Sequence, residues 1–341
     1  MQVTTIGLDL AKNVFQVHGV DATGKVTVTK KLRRSQVLAL FEKLPPCLVG
    51  MEACATSHHW ARELKALGHD VRLMPASYVK AYVKRGKNDA ADAAAICEAV
   101  TRPSMRFVPM KSAEQQAVLM LHRTRDLLVR QRTQLINAMR AHLAEFGLVA
   151  ARGRDGRKSL IAIVRDEANR LPDLARRALR AILSQLDALQ QQIGDIERDI
   201  HAQHRSSEAS RRLETIPGIG VIGATAIAAT VTDPTTFKSG REFAAWIGLV
   251  PRQNSSGGKE RLGSISKQGD RYLRRLLIVG ATTVVQHARK HPDKHPWLIS
   301  LLARRPAKVV AVALANKMAR IAWAVLARGE TYRAPAIAVR V

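Results

Sequence analysis

Four carboxylates in the first hundred residues and two serines late in the chain are the side chains whose types and spacing could do chemistry. Asp9 lies in the apolar run GLDLAK, Glu52 closes the apolar run VGMEA, and Asp89 and Asp92 follow in KNDAADA. An acid on an apolar strand is costly to bury unless something cationic compensates it. Asp89 and Asp92 are spaced i, i+3, so on a helix they share a face. Four such groups brought together repel one another unless a divalent ion lies between them, and hard oxygen donors select Mg²⁺ or Mn²⁺. A pair of these ions can clamp the attacking and leaving oxygens of phosphoryl transfer. Each acid taken alone also has a plainer reading: Asp89 complements the dipole at a helix start, and Asp9 caps a turn.

The serines lie in RQNSSGGKERLG, residues 252–263, where Arg252, Lys259 and Arg261 face one acid, Glu260. The plain reading is a flexible surface turn. The sharper one is a phosphate-binding loop: Gly257 and Gly258 remove side-chain bulk beside Ser255 and Ser256, so a phosphodiester can approach the hydroxyls. Lys267, Arg271, Arg274 and Arg275 follow closely, and such cations can stabilise a pentacovalent transition state. These residues by themselves do not single out covalent catalysis. No Ser-His-Asp arrangement is evident. His287, His291 and His295 recur every four residues, but Pro292 and Pro296 interrupt them, so they read as a solvated, basic helix end rather than a continuous zinc face. A serine nucleophile would need another activator, such as arginines or a metal-bound hydroxide. Upstream, PGIG lies between two apolar helical stretches in residues 213–231 and suggests a helix-hairpin-helix. There Gly218 and Gly220 would bring backbone N–H groups to a phosphate; a tight turn between Ala-rich helices is the alternative.

These groups need elements to position them. Residues 1–105 alternate strand and helix signals: TTIGLDLA as a strand, FQVHGVDATGKVTVTKKL as a hairpin turning at DATGK, and CLVGMEA as a buried strand. A helix over 58–67 stops at Gly68, DVRLMP is a further strand, and NDAADAAAICEAV is a helix capped by Asn88. The alternation indicates an α/β domain. Residues 110–205 read as a helical segment for coiled-coil pairing. Leu121, Leu128 and Leu135 mark one long helix, and the glycine-rich basic loop 147–159 breaks it. A second helix after Pro172 carries Ile182, Leu186, Leu189, Ile193, Ile196 and Ile200 at alternating spacings of four and three. Such a seam packs against another helix, in an antiparallel hairpin or against a second subunit. Residues 208–335 form a mostly helical domain holding the serine loop, with helices near 269–289 and 306–328.

Composition narrows the partners. The chain has 341 residues, 46% hydrophobic and 4% aromatic, and a net charge of +27. The first hundred residues carry 14 Lys and Arg against 9 Asp and Glu, leaving +22 of the surplus to the rest. That excess points to a polyanionic partner, nucleic acid above all. Cys47, Cys54 and Cys97 form no disulfide or C-x-x-C pattern, which fits a reducing cytoplasm. No signal peptide opens the chain, since Asp9 interrupts the first apolar run. The stretch 307–328 carries Lys308, Lys317 and Arg320 and reads as a buried helix, not a membrane span.

GLDLAK, VGMEA, KNDAADA, ETIPGIG and FAAWIGLVPRQNSSGGKERLGSISKQGDRYLRRLL, in that order and over nearly the whole chain, resemble the DEDD-type insertion-sequence transposases. That family includes Piv-type invertases and bridge-RNA-guided recombinases. The resemblance implies an N-terminal RuvC-like, RNase H-fold domain in which Asp9, Glu52, Asp89 and Asp92 match the metal ligands in turn. It implies a central coiled coil and a C-terminal domain whose nucleophilic serine precedes glycine, here Ser256, with Ser255 as second choice. It further implies a covalent phosphoserine link to DNA, multimers in which Ser256 of one subunit could meet the acids of another, and a structured non-coding RNA that guides donor and target choice. A RuvC-like nuclease that attacks with water, and a non-catalytic nucleic-acid-binding protein, remain the alternatives.

Overall fold

The turn DATGK folds as a hairpin because Asp21 closes it. Its carboxylate accepts the N–H groups of Thr23 at 2.9 Å and Lys25 at 3.0 Å, while Gly24 takes a φ of +84°. The turn joins β2 (Val14–Val20) to β3 (Val26–Arg33), and β1 (Thr5–Leu10) pairs antiparallel with β2. After α1 (Val37–Phe41), β4 (Leu48–Glu52) pairs parallel with β1. Then α2 (Ser57–Ala66) leads through Gly68, at φ +92°, to β5 (Asp70–Met74), parallel to β4. The sheet order is β3-β2-β1-β4-β5. The short α3 (Ala76–Val79) precedes α4 (Asp89–Val100), whose cap Asn88 accepts the Ala91 N–H at 2.7 Å. The structure is a computed structural model and describes residues 2–84 and 88–333. Lys87 of KNDAADA and the last two residues of the expected 208–335 domain lie outside them.

The chain divides into two compact units, one ending at Gln116 and the next beginning at Ala117. In the first, α4 lies directly on the sheet. A Cβ on Gly7 would stand 2.1 Å from the Ala93 carbonyl oxygen, and one on Gly50 would stand 2.8 Å from the Val100 Cβ. Ile6, Leu8, Phe15, Val17, Val49 and Met51 are fully buried in the sheet's core.

The second unit is mostly helical. α5 (Ala113–Ala144), which starts just before the boundary, runs antiparallel to α7 (Asp173–Ser206). Arg125 pairs with Glu197 at 2.6 Å, and two turns further along α5 Arg132 donates to Gln190 at 3.0 Å. Leu186, Leu189, Ile193 and Ile200 are buried as their spacing requires, while Ile182 and Ile196 are half-buried and Leu179 and Leu183 go inside. The inward shift at that end follows from α6 (Arg154–Arg165), a helix whose first half, residues 154–159, falls in the segment expected to be a loop over 147–159. Leu160 and Val164 of α6 pack with Met139, Leu143, Leu179 and Leu183. Burial of this apolar stripe outweighs the local glycine-rich, basic composition, so the loop ends before Arg154.

Next come α8 (Glu208–Glu214), α9 (Val221–Thr230), α10 (Gly240–Ile247), and an antiparallel pair of short strands, β6 (Pro251–Gln253) and β7 (Leu262–Ile265). The chain continues in α11 (Arg271–Lys290), α12 (Pro296–Leu302) and α13 (Ala307–Arg328). Among the described residues α13 is the one helix long and apolar enough to cross a membrane. Its Val310, Leu314, Met318, Ala322 and Val325 are instead buried with Phe243, Ile247, Leu273 and Leu277 in the core of this unit.

Candidate active site

Strand alternation puts Asp9 on the face of Gly7, and Glu52 on the face of Gly50. Both glycines lie under α4, so both acids emerge on the face that α4 covers. The parallel register pairs Leu8 with Met51, which leaves Asp9 and Glu52 next to each other at the ends of neighbouring strands. Asp89 and Asp92 occupy the first turn of α4, at the same edge. The four acids act on one another electrostatically. Burial, then Asp92 and Asp89, push the Asp9 carboxyl above its ordinary value; burial, then Asp9 and Asp92, do the same to Glu52. Among the described residues none of the four has an ion-pair partner, so their repulsion stands uncompensated. An all-oxygen, all-carboxylate set is suited in charge and donor chemistry to a hard divalent cation. In spacing it is looser. Among the described residues no three His, Cys, Asp or Glu side chains stand ready to hold a metal ion.

The serine loop is a β-hairpin rather than a featureless turn. Gly257 and Gly258 take φ of +56° and +76°, and the Lys259 N–H donates to the Ser256 carbonyl at 3.1 Å. Two successive residues with positive φ define a type I′ turn, whose twist matches that of the flanking strands. The Asn254 N–H donates to the Arg261 carbonyl at 2.9 Å, and the Arg261 N–H donates to Ser255 Oγ at 3.2 Å. The two serines thus differ. The Ser255 hydroxyl is engaged within the hairpin, whereas among the described residues the Ser256 hydroxyl has no hydrogen-bond partner. All residues from Pro251 to Ser264 are exposed.

Of the basic residues expected around this loop, Arg252, Lys259, Arg261, Lys267 and Arg271 are exposed. Lys267 carries a φ of +56° where its backbone crosses Gly248. Arg274 is 9% exposed, and its Nη1 donates to the carbonyls of Ile247 and Gln268, each at 2.7 Å. It therefore fastens the base of the hairpin to α10 and does not face a solvent-borne phosphate. Arg275 pairs with Asp126 and lies over the Tyr272 ring. At PGIG, Gly218 has a φ of +90°, and a Cβ there would meet Met318 Cε and Val284 Cγ2 at 2.9 Å. Its lack of a side chain is a packing requirement. Gly220 is exposed at the start of α9 with nothing within 4 Å of a Cβ.

One constellation has no counterpart among the motifs of the sequence. His204 Nδ1 is 2.8 Å from Ser210 Oγ, and its Nε2 is 2.9 Å from Glu214 Oε2. The connectivity is that of a serine-histidine-acid relay, but Ser210 is fully buried, so the network joins α7 to α8 and meets no substrate. The spacing His-x₅-Ser-x₃-Glu carries no signal that could have announced it. His287, His291 and His295 also gather despite the prolines. A 3₁₀ turn over Pro292–Lys294 brings the His295 ring within 5.7 Å of His287, whose ring lies 4.4 Å from His291.

Comparisons with known proteins agree with this arrangement of motifs. A family model described as a transposase, of the DEDD IS110 type, matches residues 6–147, and one described as transposase IS116/IS110/IS902 family matches residues 210–295. The chain is 54% identical to a probable family 20 transposase of Pseudomonas aeruginosa, over 98% of this chain and 99% of that protein. It is 43% identical to the transposase for insertion sequence element IS1328 of Yersinia enterocolitica, over 97% and 98% of the two chains. It is also 43% identical to the transposase for element IS1111A of Coxiella burnetii, over 97% and 92%. The DEDD match implies a RuvC-like fold for the first unit and the use of a divalent metal, and a transposase acts on DNA. With full-length likeness on both sides and both motif regions matched in order, the chain belongs to the IS110-type DEDD transposases of insertion sequences.

Proposed function

We propose that this transposase cuts and rejoins DNA by covalent serine catalysis, with Ser256 as nucleophile and Asp9, Glu52, Asp89 and Asp92 as the holders of Mg²⁺ or Mn²⁺. The observation that carries the reading is the contrast at the hairpin: Ser255 Oγ accepts a backbone N–H, while Ser256 Oγ stands unpartnered and exposed beside two glycines. In the forward step Ser256 Oγ forms a bond to phosphorus, the P–O bond to the leaving strand breaks, the hydroxyl proton leaves the nucleophile, and the departing oxygen gains one. Attack by a strand hydroxyl on the phosphoserine reverses these changes and restores Ser256, so no energy-rich cofactor is consumed. A bound metal would supply charge stabilisation at the scissile phosphate. Arg252, Lys259, Arg261, Lys267 and Arg271 contact neighbouring phosphates, and the exposed start of α9 at Gly220 offers N–H groups to another. The helical hairpin of α5 and α7 serves as a coiled coil for homo-oligomer assembly, PGIG acts as a helix-hairpin-helix, and the surplus of positive charge accommodates a structured guide RNA.

The test is to trap protein on DNA carrying the element's ends under denaturing conditions, with the non-coding RNA encoded beside the gene supplied. Ser256→Ala should abolish the adduct and recombination, while Ser255→Ala should retain the adduct. Persistence of the adduct in Ser256→Ala and in the Ser255/Ser256 double alanine variant would show that another group is the nucleophile.

A further inference from the structure

Five arginines converge where the second unit has no acid to meet them. An open cavity of about 710 Å³ lies between α5 and the start of α6, lined by Arg132, Asn137 and Arg140 on one side and Arg152, Arg154 and Arg157 on the other. Its remaining lining is Thr133, Ile136 and Gly153, with no carboxylate and no aromatic ring. Elsewhere on these helices several arginines do meet an acid: Arg125 pairs with Glu197, Arg165 with Asp187, Arg180 with Glu167 and Arg198 with Asp195. Among the described residues none of the five cavity arginines forms an ion pair. Arg132 and Arg140 donate from Nη atoms to the neutral amides of Gln190 and Asn137, and Arg140 Nε is buried with no partner at all. Burial, and then the Arg157 guanidinium, hold Arg132 below the ordinary arginine value.

The backbone adds to the same field. Gly153, at φ +96°, precedes α6 without a side-chain cap, so first-turn N–H groups of a 12-residue helix have no side-chain acceptor. Gly156 lets the chain fold back there: a Cβ would fall 1.6 Å from the Ala151 carbonyl oxygen. A solvated charge run would spread its side chains outward and apart. Here two separate stretches of chain aim like charges into one concavity, which is unfavourable unless an anion enters it. Guanidinium forks match phosphate oxygens in pairs. The absence of lining aromatics removes the usual platform for base stacking.

We infer that the cavity between α5 and the start of α6 binds the phosphodiester backbone of a nucleic acid, without reading its sequence. This rests on the proposed function only in that the enzyme handles nucleic acid, and neither the four acids nor the serine hairpin contributes to the cavity. DNA and RNA share the chemistry, so both serve as probes.

The experiment measures fluorescence anisotropy of the full-length protein with a short random-sequence DNA duplex, and separately with a single-stranded RNA of the same sequence, over a KCl series. The variants are Arg152→Gln/Arg154→Gln/Arg157→Gln, the same three residues changed to Lys, and a control, Arg177→Gln/Arg304→Gln/Arg305→Gln, which removes three exposed charges elsewhere. The cavity Gln variant should bind at least one probe about tenfold more weakly at ~0.1 M salt and lose about 2–3 from the log–log salt slope. The control should lose clearly less, and the Lys variant should fall between, because Lys keeps charge but not the fork. Weakening on the duplex alone assigns the cavity to DNA, and weakening on the RNA alone assigns it to RNA; either supports it. Equal losses for cavity and control variants on both probes overturn it. Should the triple variant melt early, the single Arg154→Gln, at an exposed position, carries the test with a slope change of about one. If adducts prove independent of Ser256 while the cavity variants still weaken binding, the serine reading fails and the cavity stands.

Discussion

Asp9 and Glu52 stand on strands whose alternate positions, Gly7 and Gly50, are pressed under α4, whereas Ser256 stands at the tip of a hairpin exposed from Pro251 to Ser264. The acids are placed by long-range packing: a sheet register, a helix seated on it, and two positions where no side chain fits. The serine is placed by a turn of a few residues and by one side chain, Arg274, that ties its base to α10. The first arrangement holds like charges together against their repulsion. The second keeps a hydroxyl accessible and leaves its surroundings to the substrate. A packed site should fail by losing the fold, and a hairpin site by losing activity with the fold intact.

The sharpest break of that contrast is Gly7→Val. Its Cβ would fall 2.1 Å from the Ala93 carbonyl oxygen and 2.4 Å from the Cys97 amide nitrogen, both backbone atoms that cannot turn aside. The expected destabilisation is about 3 kcal/mol or more, read by denaturant unfolding of the first unit. Second is the packed floor of the second unit. His122 on α5 is 1% exposed, with Nδ1 3.1 Å from Tyr272 Oη and Nε2 3.0 Å from Thr225 Oγ1. Burial, and then Arg125, push its pKa down to about 4. Between the unfolded value near 6.5 and that folded value, the unfolded chain takes up a proton the fold refuses, so stability is full above pH 6.5 and declines as pH falls. The loss should reach roughly 3 kcal/mol at pH 4, measured by denaturation at stepped pH. His122→Gln should flatten that part of the profile.

The hairpin should respond differently. Gly257→Ala forces a side chain into the left-handed region at φ +56°, at about 1–2 kcal/mol locally. Because the hairpin packs on little, the melting temperature should stay near that of the parent while adduct formation falls. An equal drop in melting temperature would show that the hairpin is structurally tied to the core. The smallest effect is expected from Asn88→Ala, which removes the cap of the helix carrying Asp89 and Asp92. A loss of about 1 kcal/mol, with activity reduced further than stability, would show that the cap also aims the acids.

Local signals were the legible ones. The turn DATGK, the Asn88 cap, the stop at Gly68 and the two long helices follow from side chains acting on neighbours a few residues away. The acids could be nominated from their spacing and apolar surroundings, and the loop of Ser255 and Ser256 as a phosphate site from its glycines and cations; the choice of Ser256 came from the family resemblance. Less visible were features made by distant segments. Arg274 looks in sequence like one more cation of a basic cluster, yet it is buried against two carbonyls. Gly218 looks in sequence like a phosphate-facing glycine, and only the packed core shows a second demand on it: its missing Cβ makes room for Met318 and Val284. α6 hides under glycines and arginines until α5 and α7 offer its leucine and valine a place to bury.

The sequence by itself determined the turns, the caps, the helical seams and the charge surplus, because each depends on backbone preference and periodicity within a few residues. It also determined the family, since the motifs stand in order along one chain. Only the tertiary structure decided that α4 sits on bare backbone beside Asp9 and Glu52, that Ser255 is engaged while Ser256 is open, and that five arginines share one cavity. Those outcomes depend on which remote atoms come within a few ångströms, and side-chain identity does not encode that distance until the core has packed.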